Sequence, residues 1–243
     1  MDLVTTEFRI RGRDFRLKLP DGDHILKQVT AARAFYEWRL LYFLLDHGVV
    51  NRDSVVVDVG AHVGNHTVFF GSFCGQVFAF EPCELSYRNL LENVKLNGLT
   101  NVDAADIGVG AVDGIMESTF VVPRNSGSLC WWYEGAPGAP KVAGLEGLEL
   151  VKAREKAKVK RLDGLMGSDR VDFIKIDAQG MELEVLQGAS EIIRTRRPTI
   201  MVEVWPPEHG DGMKTWMEAA GYEHFQVPFP DKVVWLLRPA GEA

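Results

Sequence analysis

The stretch Val55–Thr67, VVVDVGAHVGNHT, runs an apolar segment into an acid and then a turn with two glycines four residues apart, Gly60 and Gly64. An almost unbroken β-branched run suits a strand buried on both faces, as in a parallel sheet. Glycine, lacking Cβ, lets Gly60 take positive φ and lets backbone at Gly64 come close to a neighbour or a ligand. A strand that ends in such a turn, with a helix from about Asn65, opens a doubly wound unit whose ligand sits beyond the strand ends.

Outward from this point strand and helix alternate. VFAFE (77–81) reads as a strand, LSYRNLLENVKLNG (85–98) as a helix, and NVDAADIGVG (101–110) holds a third strand. The rhythm breaks between Gly114 and Leu162. There MESTFVVP reads as an extra strand, GAPGAPKVAGLEGLEL as a mobile excursion too rich in glycine and proline for an element interior, and KAKVKRLD as an edge strand with its lysines facing water. Regularity resumes with VDFIKIDA (strand), ELEVLQGASEIIRT (helix), PTIMVEVW (strand), a helix over Met213–Ala220, and a terminal pair in HFQVPF and KVVWLLR. The pattern predicts an α/β fold: seven core strands, mostly parallel, with helices on both faces.

Upstream, EFRIRGRDFRLKL (7–19) alternates apolar and basic positions about Gly12 and reads as a hairpin appendage. Phe35, Trp38, Leu41, Tyr42 and Leu45 recur at helical spacing, predicting one helix from Ala31 to His47 that Gly48 stops. The expected organisation is a hairpin and helix extension over 1–48 and a main domain over 49–243, with a substrate-side excursion at about 114–162. The 243 residues, 46% of them apolar, can bury one sizeable core. A formal charge of −7 argues against non-specific nucleic-acid binding. Cys74, Cys83 and Cys130 have neither zinc spacing nor the look of a disulfide framework, which fits a reducing cytoplasm. No apolar leader and no membrane-length window is seen, so the expected protein is soluble, cytoplasmic and without a membrane partner.

The turn discriminates between ligands. A dinucleotide loop needs GxGxxG, but from Gly60 the second and third glycines are His62 and Asn65. Asp58 would set negative charge against a pyrophosphate. Glu81, ending the second strand, can accept hydrogen bonds from both hydroxyls of a ribose, and Asp106, ending the third, can reach an adenine amine. Pro82 and Ile107 adjoin these two acids and are counted in the same pocket. A nucleoside with positive charge satisfies all of this, and S-adenosylmethionine is the common one. An NAD-linked oxidoreductase and a non-catalytic cofactor-binding module are the rival readings.

With VVDVGAHVGNHT, FAFEPCELSYRNLLENVKLNGLTNV, VDFIKIDAQGMELEVLQGA and PTIMVEVWP in this order, the sequence resembles the FkbM family of S-adenosylmethionine-dependent methyltransferases. The resemblance covers roughly Phe35 to Gly221 apart from the excursion. It implies a class I methyltransferase sheet, seven strands with the last antiparallel, and O-methylation of a sugar or natural-product hydroxyl. It also implies that Glu37, matching the family's YE pair, closes over the methionine end of the cofactor. The third block departs from the family's KIDVEGAE: Gln179 removes a carboxylate and Met181 replaces a small residue.

Methyl transfer is an in-line displacement, so alignment of acceptor oxygen, methyl and sulfur matters most, and an alcohol acceptor gains from a base. Asp177, ending the fourth strand, is the first candidate and Glu203 the second. Helix capping, or a grip on the cofactor's amino group, is the alternative role for Asp177. Glu182 opposes a helix dipole. These three carboxylates have no fixed spacing, so no metal is expected. His62 and His66 line the cofactor turn or serve as base, and Asn65 and Thr67 present donors to the cofactor's carboxylate. Trp131, Trp132 and Tyr133 form either a substrate lid that stacks on a sugar or planar face, or an oligomer interface.

Overall fold

The computed structural model describes residues 2–122, 125–134, 155–204, 210–227 and 233–241. It opens with a hairpin, β1 (Leu3–Ile10) and β2 (Arg13–Pro20), joined by the two-residue turn Arg11-Gly12 with φ of 49° and 80°. Two positive φ values give the turn twist that matches antiparallel strands. Glu7, Arg9 and Arg16 face water, as alternation predicts. The hairpin is not an appendage, however. Phe8, Ile10, Phe15, Leu17 and Leu19 are buried in one cluster with Phe69, Phe70 and Val56 of the main domain.

The single helix predicted over Ala31–His47 is two, α1 (His24–Ala32) and α2 (Trp38–Asp46). Arg33 and Glu37 are left-handed between them. The break turns Phe35 inward, edge-on to Phe8, Phe15 and Phe69, instead of along a helix face. Complete burial of such a ring contributes about 1.5–3 kcal/mol, enough to override local periodicity.

The main domain follows with β3 (Val55–Val59), α3 (Asn65–Phe73), β4 (Gln76–Phe80), α4 (Glu84–Leu96) and β5 (Val102–Ala105). Asn93 on α4 and Asn97 just past its end donate to and accept from the backbones of Lys18 and Arg16, so their amides satisfy the outer edge of β2. The third predicted strand splits: after β5 the chain crosses to a second sheet at β6 (Gly108–Val109). That sheet continues through β7 (Gly114–Val122), β8 (Asn125–Tyr133) and β9 (Lys156–Lys160), in the order β6-β9-β7-β8. Lys156, Lys158 and Lys160 face water as predicted, but β9 is not an edge strand. It pairs with β6 on one side and β7 on the other. The glycine-rich segment 135–150, read as a mobile excursion, lies outside the described residues.

The chain then returns through α5 (Leu162–Met166), β10 (Phe173–Ile176), α6 (Glu182–Gly188), α7 (Ser190–Arg196), β11 (Thr199–Glu203), α8 (Gly210–Ala219), β12 (Tyr222–Val227) and β13 (Val234–Pro239). The helix predicted over ELEVLQGASEIIRT is also two, separated at buried Ala189. The large sheet runs β12-β13-β11-β10-β3-β4-β5. Its last five strands in that order are parallel, and β13 is antiparallel to both neighbours. This is the seven-stranded α/β arrangement implied by the resemblance. Helices leave β3 and β10 on either side of their shared border, which opens a crevice at the strand ends. Among the described residues no helix is long and apolar enough to cross a membrane.

Candidate functional site

Two loops frame the crevice. After β3, Gly60 has φ of 70°, and a Cβ built on it would stand 1.8 Å from the Asp177 carbonyl oxygen. Only glycine lets the β3 and β10 loops approach this closely. Gly64 is left-handed too and faces Leu90 of α4, so its missing side chain serves helix packing. Above the loops is a cavity of about 770 Å³, within the range of small-molecule sites. Gly60, His62, Glu81, Pro82, Asp177 and Glu203 are among its lining residues.

Beneath the cavity lies an ion pair that sequence reasoning missed. Lys175 Nζ is 3.0 Å from Asp58 Oδ1 and 3.9 Å from Asp177 Oδ2, with side-chain exposures of 3% for the lysine and 0% for Asp58. The same ammonium donates to the Gly60 carbonyl at 2.7 Å. Thr67 Oγ1 donates to Asp58 Oδ2 at 2.6 Å. Burial alone favours a neutral lysine, but Asp58 and Asp177 outweigh it and hold the amine's pKa above its ordinary value. The cation beside Asp58 is therefore Lys175, not a ligand. Asp58 and Thr67 lie under the turn as its support. The available signal was a lysine inside the apolar strand FIKI, since a buried cation requires a partner.

Glu81 follows β4 at the cavity wall. Its Oε2 accepts the His62 N–H at 2.8 Å and its Oε1 the Cys83 N–H at 2.9 Å. Each oxygen keeps a further lone pair for another donor. Burial pushes its carboxyl up to about 7, against the lowering effect of those two N–H groups. Asp106 is exposed and Ile107 half-buried, in the crossing from β5 to β6; neither is among the lining residues, but the next two, Gly108 and Val109, are. His66 lines the cavity, with Nε2 3.2 Å from Glu37 Oε2, and both side chains are buried. Asn65 also reaches the cavity, but its amide is engaged with the Tyr36 backbone, accepting from N–H at 2.9 Å and donating to C=O at 3.2 Å.

On the β10 side, Asp177 is 26% exposed in its side chain, and its Oδ1 accepts from Gln179 Nε2 at 2.6 Å. The residue that departs from the family pattern thus holds the candidate base by a hydrogen bond. Gln179 is left-handed, with φ of 48°. Glu182 points back into its own loop, accepting from Gly180 N–H at 3.0 Å and Ala178 N–H at 3.2 Å. Burial pushes its carboxyl up to about 8. Glu203 ends β11 at the cavity. Among the described residues no cluster of histidine, cysteine and acids is arranged to hold a metal.

The small sheet supplies the opposite wall. Trp131 is 5% exposed and lines the cavity in a cluster with Met116, Met181 and Cys83. Trp132 and Tyr133 are half-buried and are not among the lining residues, and the Tyr133 hydroxyl accepts the Ala111 N–H at 2.6 Å. A run of three aromatics on a strand cannot face one way, and here one of the three meets the cavity.

Comparison with known proteins agrees with this architecture. The Methyltransferase FkbM domain matches residues 58–224. Methyltransferase 1 of Beauveria bassiana is 26% identical over 183 residues, covering 70% of this chain and 72% of its own. Methyltransferase sdnD of Sordaria araneosa is 29% identical over 191 residues, covering 68% and 70%. Among solved structures, Methyltransferase FkbM from Methylobacillus flagellatus superposes with a TM-score of 0.54 at 15% identity, over 76% of this chain. That match spans 43% of the Methylobacillus protein, less than half its length. A Streptococcus mutans protein in complex with SAH superposes with a TM-score of 0.51 at 10% identity, over 84% of this chain and 97% of that one. At such identities these two likenesses concern the fold.

Proposed function

Since the chain belongs to the family of the Methyltransferase FkbM domain, we propose that it is an S-adenosylmethionine-dependent methyltransferase that methylates a hydroxyl of a sugar or other small natural product. The observation that carries this reading is Glu81, a buried carboxylate at the cavity wall whose two oxygens each hold one backbone N–H and retain room for a ribose hydroxyl. The glycine contact at Gly60 brings the β3 and β10 loops together at the cavity floor, and the cavity volume suits a nucleoside with an acceptor beside it. The cofactor, when bound, supplies a methyl group on a sulfonium.

The residues of this chain then align and deprotonate the acceptor. Asp177 is our candidate to take the hydroxyl proton: it lies at the cavity, partly exposed, with one oxygen fixed by Gln179. Glu203 borders the same space. Trp131 offers an apolar face for the acceptor's body. A small uncharged acceptor is favoured over nucleic acid because Glu81, Asp177 and Glu203 line the cavity, while Lys175, its lining lysine, is already ion-paired.

The test is Asp177→Asn, assayed by release of S-adenosylhomocysteine with a panel of hydroxylated small molecules. Turnover should fall by about 10²–10⁴ under saturating conditions while S-adenosylhomocysteine still binds. Near-normal turnover would remove Asp177 as the base.

A further inference from the structure

The cavity has a second polar cluster, which joins three segments far apart in the chain. Asp23, at the N-terminal cap of α1, is 2% exposed, and its Oδ1 accepts the Ile25 N–H at 2.8 Å. Its Oδ2 accepts both the N–H and the hydroxyl of Ser126 on β8, each at 2.9 Å. Ser126 Oγ also lies 2.9 Å from Nε2 of His62, in the turn after β3.

Counting protons along this relay fixes the histidine. An ionised carboxylate only accepts, so the single hydroxyl proton of Ser126 is directed at Asp23, and its Oγ must receive the proton on His62 Nε2. The ring is the Nε2–H tautomer, and Nδ1 carries the lone pair. Nδ1 makes no hydrogen bond among the described residues. Gly127 adjoins this edge of the ring without a side chain: an added Cβ would stand 3.5 Å from Nδ1 and 3.6 Å from Cε1, in van der Waals contact. His62, Ser126 and Gly127 all line the cavity. Burial pushes the imidazole down to about 4, so the lone pair persists at neutral pH.

We propose that Asp23 and Ser126 are positioning residues for the cofactor site, holding His62 so that its Nδ1 accepts a hydrogen bond from a ribose hydroxyl of the bound nucleoside. This rests on the cofactor reading above. A ribose is the donor favoured because the His62 backbone N–H is bonded to Glu81 Oε2, so the residue that carries the ring adjoins the carboxylate and both line the cavity. Each Glu81 oxygen already accepts one backbone N–H, and His62 adds a third acceptor to the pair. Asp23 lies outside residues 58–224, so the hairpin and helix extension contributes to a site that the matched domain does not complete alone.

The experiment combines calorimetry with S-adenosylhomocysteine and ¹⁵N spectroscopy of histidine-labelled full-length protein. Ser126→Ala and Asp23→Asn should each weaken binding by about 5- to 10-fold, with Ser126→Thr restoring it. Gly127→Ala should weaken binding similarly with the relay intact, by covering Nδ1. In the wild type the His62 Nδ1 signal should be that of an unprotonated nitrogen and should shift on saturation with S-adenosylhomocysteine. Equal affinity in wild type and Ser126→Ala, or an Nδ1 signal unmoved by the ligand, overturns this proposal alone. Failure of the wild type to bind S-adenosylhomocysteine overturns the cofactor reading and the proposal with it.

Discussion

The seven-stranded sheet and the four-stranded sheet face each other across one cavity, yet they are held by different means. In the large sheet β3 and β10 are buried along almost their whole length, their loops touch at Gly60 and Asp177, and Lys175 ties both loops from below. The small sheet alternates buried Val159 with exposed lysines and meets the large one through local contacts. One is Gly188 of α6, where a Cβ would stand 2.0 Å from the Gly110 carbonyl oxygen, and another is Val109 of β6, buried in one cluster with Val57, Phe80 and Ile174. The lesson is a division of labour. The large sheet braces its cavity loops by buried charge and backbone contact, whereas the small sheet is a thinner layer that presents one face to water and one to the cavity.

The largest expected effect breaks the rigid half. Lys175→Met leaves Asp58 charged, buried and without its cation, and should lower unfolding free energy by about 3–5 kcal/mol in urea titration. A loss under about 1 kcal/mol would mean that the ion pair does not brace the loops. A smaller effect comes from Glu182. Its carboxyl is raised to about 8 in the fold, so the folded state retains a proton that the unfolded chain releases. Stability is therefore full below the ordinary glutamate range and falls as pH climbs towards about 8. Glu182→Gln keeps an acceptor for the Gly180 N–H and removes the charge. It should gain on the order of 1 kcal/mol over wild type at pH 8 and little at pH 5, measured by thermal unfolding. Wild-type and mutant curves that stay parallel across this range would contradict the assignment. The smallest effect belongs to the small sheet's outer face: Lys158→Ala should stay within about 0.5 kcal/mol of wild type in urea. A larger loss would show that the two sheets depend on each other more than their contacts imply.

The large sheet was legible from its sequence because each strand is a short apolar run bounded by turn residues, and such runs have few alternative fates. The glycine turn and Glu81 were legible for the same reason, being fixed in place by strand ends. Side-chain partnerships were not. Asp58 reads as waiting for a positive ligand until Lys175, 117 residues later, is seen beside it. Helical spacing from Phe35 to Leu45 hid a break, because Phe35 packs on a hairpin whose position only the fold determines. Alternation in β9 identified its exposed lysines but carried no information on its neighbours, so an interior strand read as an edge. The three aromatics of β8 are adjacent in sequence, but strand geometry separates them, and only Trp131 lines the cavity.

We propose above that the cavity beside Glu81 receives the nucleoside of S-adenosylmethionine. Calorimetric titration with S-adenosylhomocysteine tests it most directly, on wild type and on Glu81→Ala in parallel with NADH. The expected result is one-to-one binding of S-adenosylhomocysteine by the wild type, a loss of about 1–3 kcal/mol in Glu81→Ala, and no comparable binding of NADH. Equal affinity in the two proteins, or tight binding of NADH with none of S-adenosylhomocysteine, would contradict it.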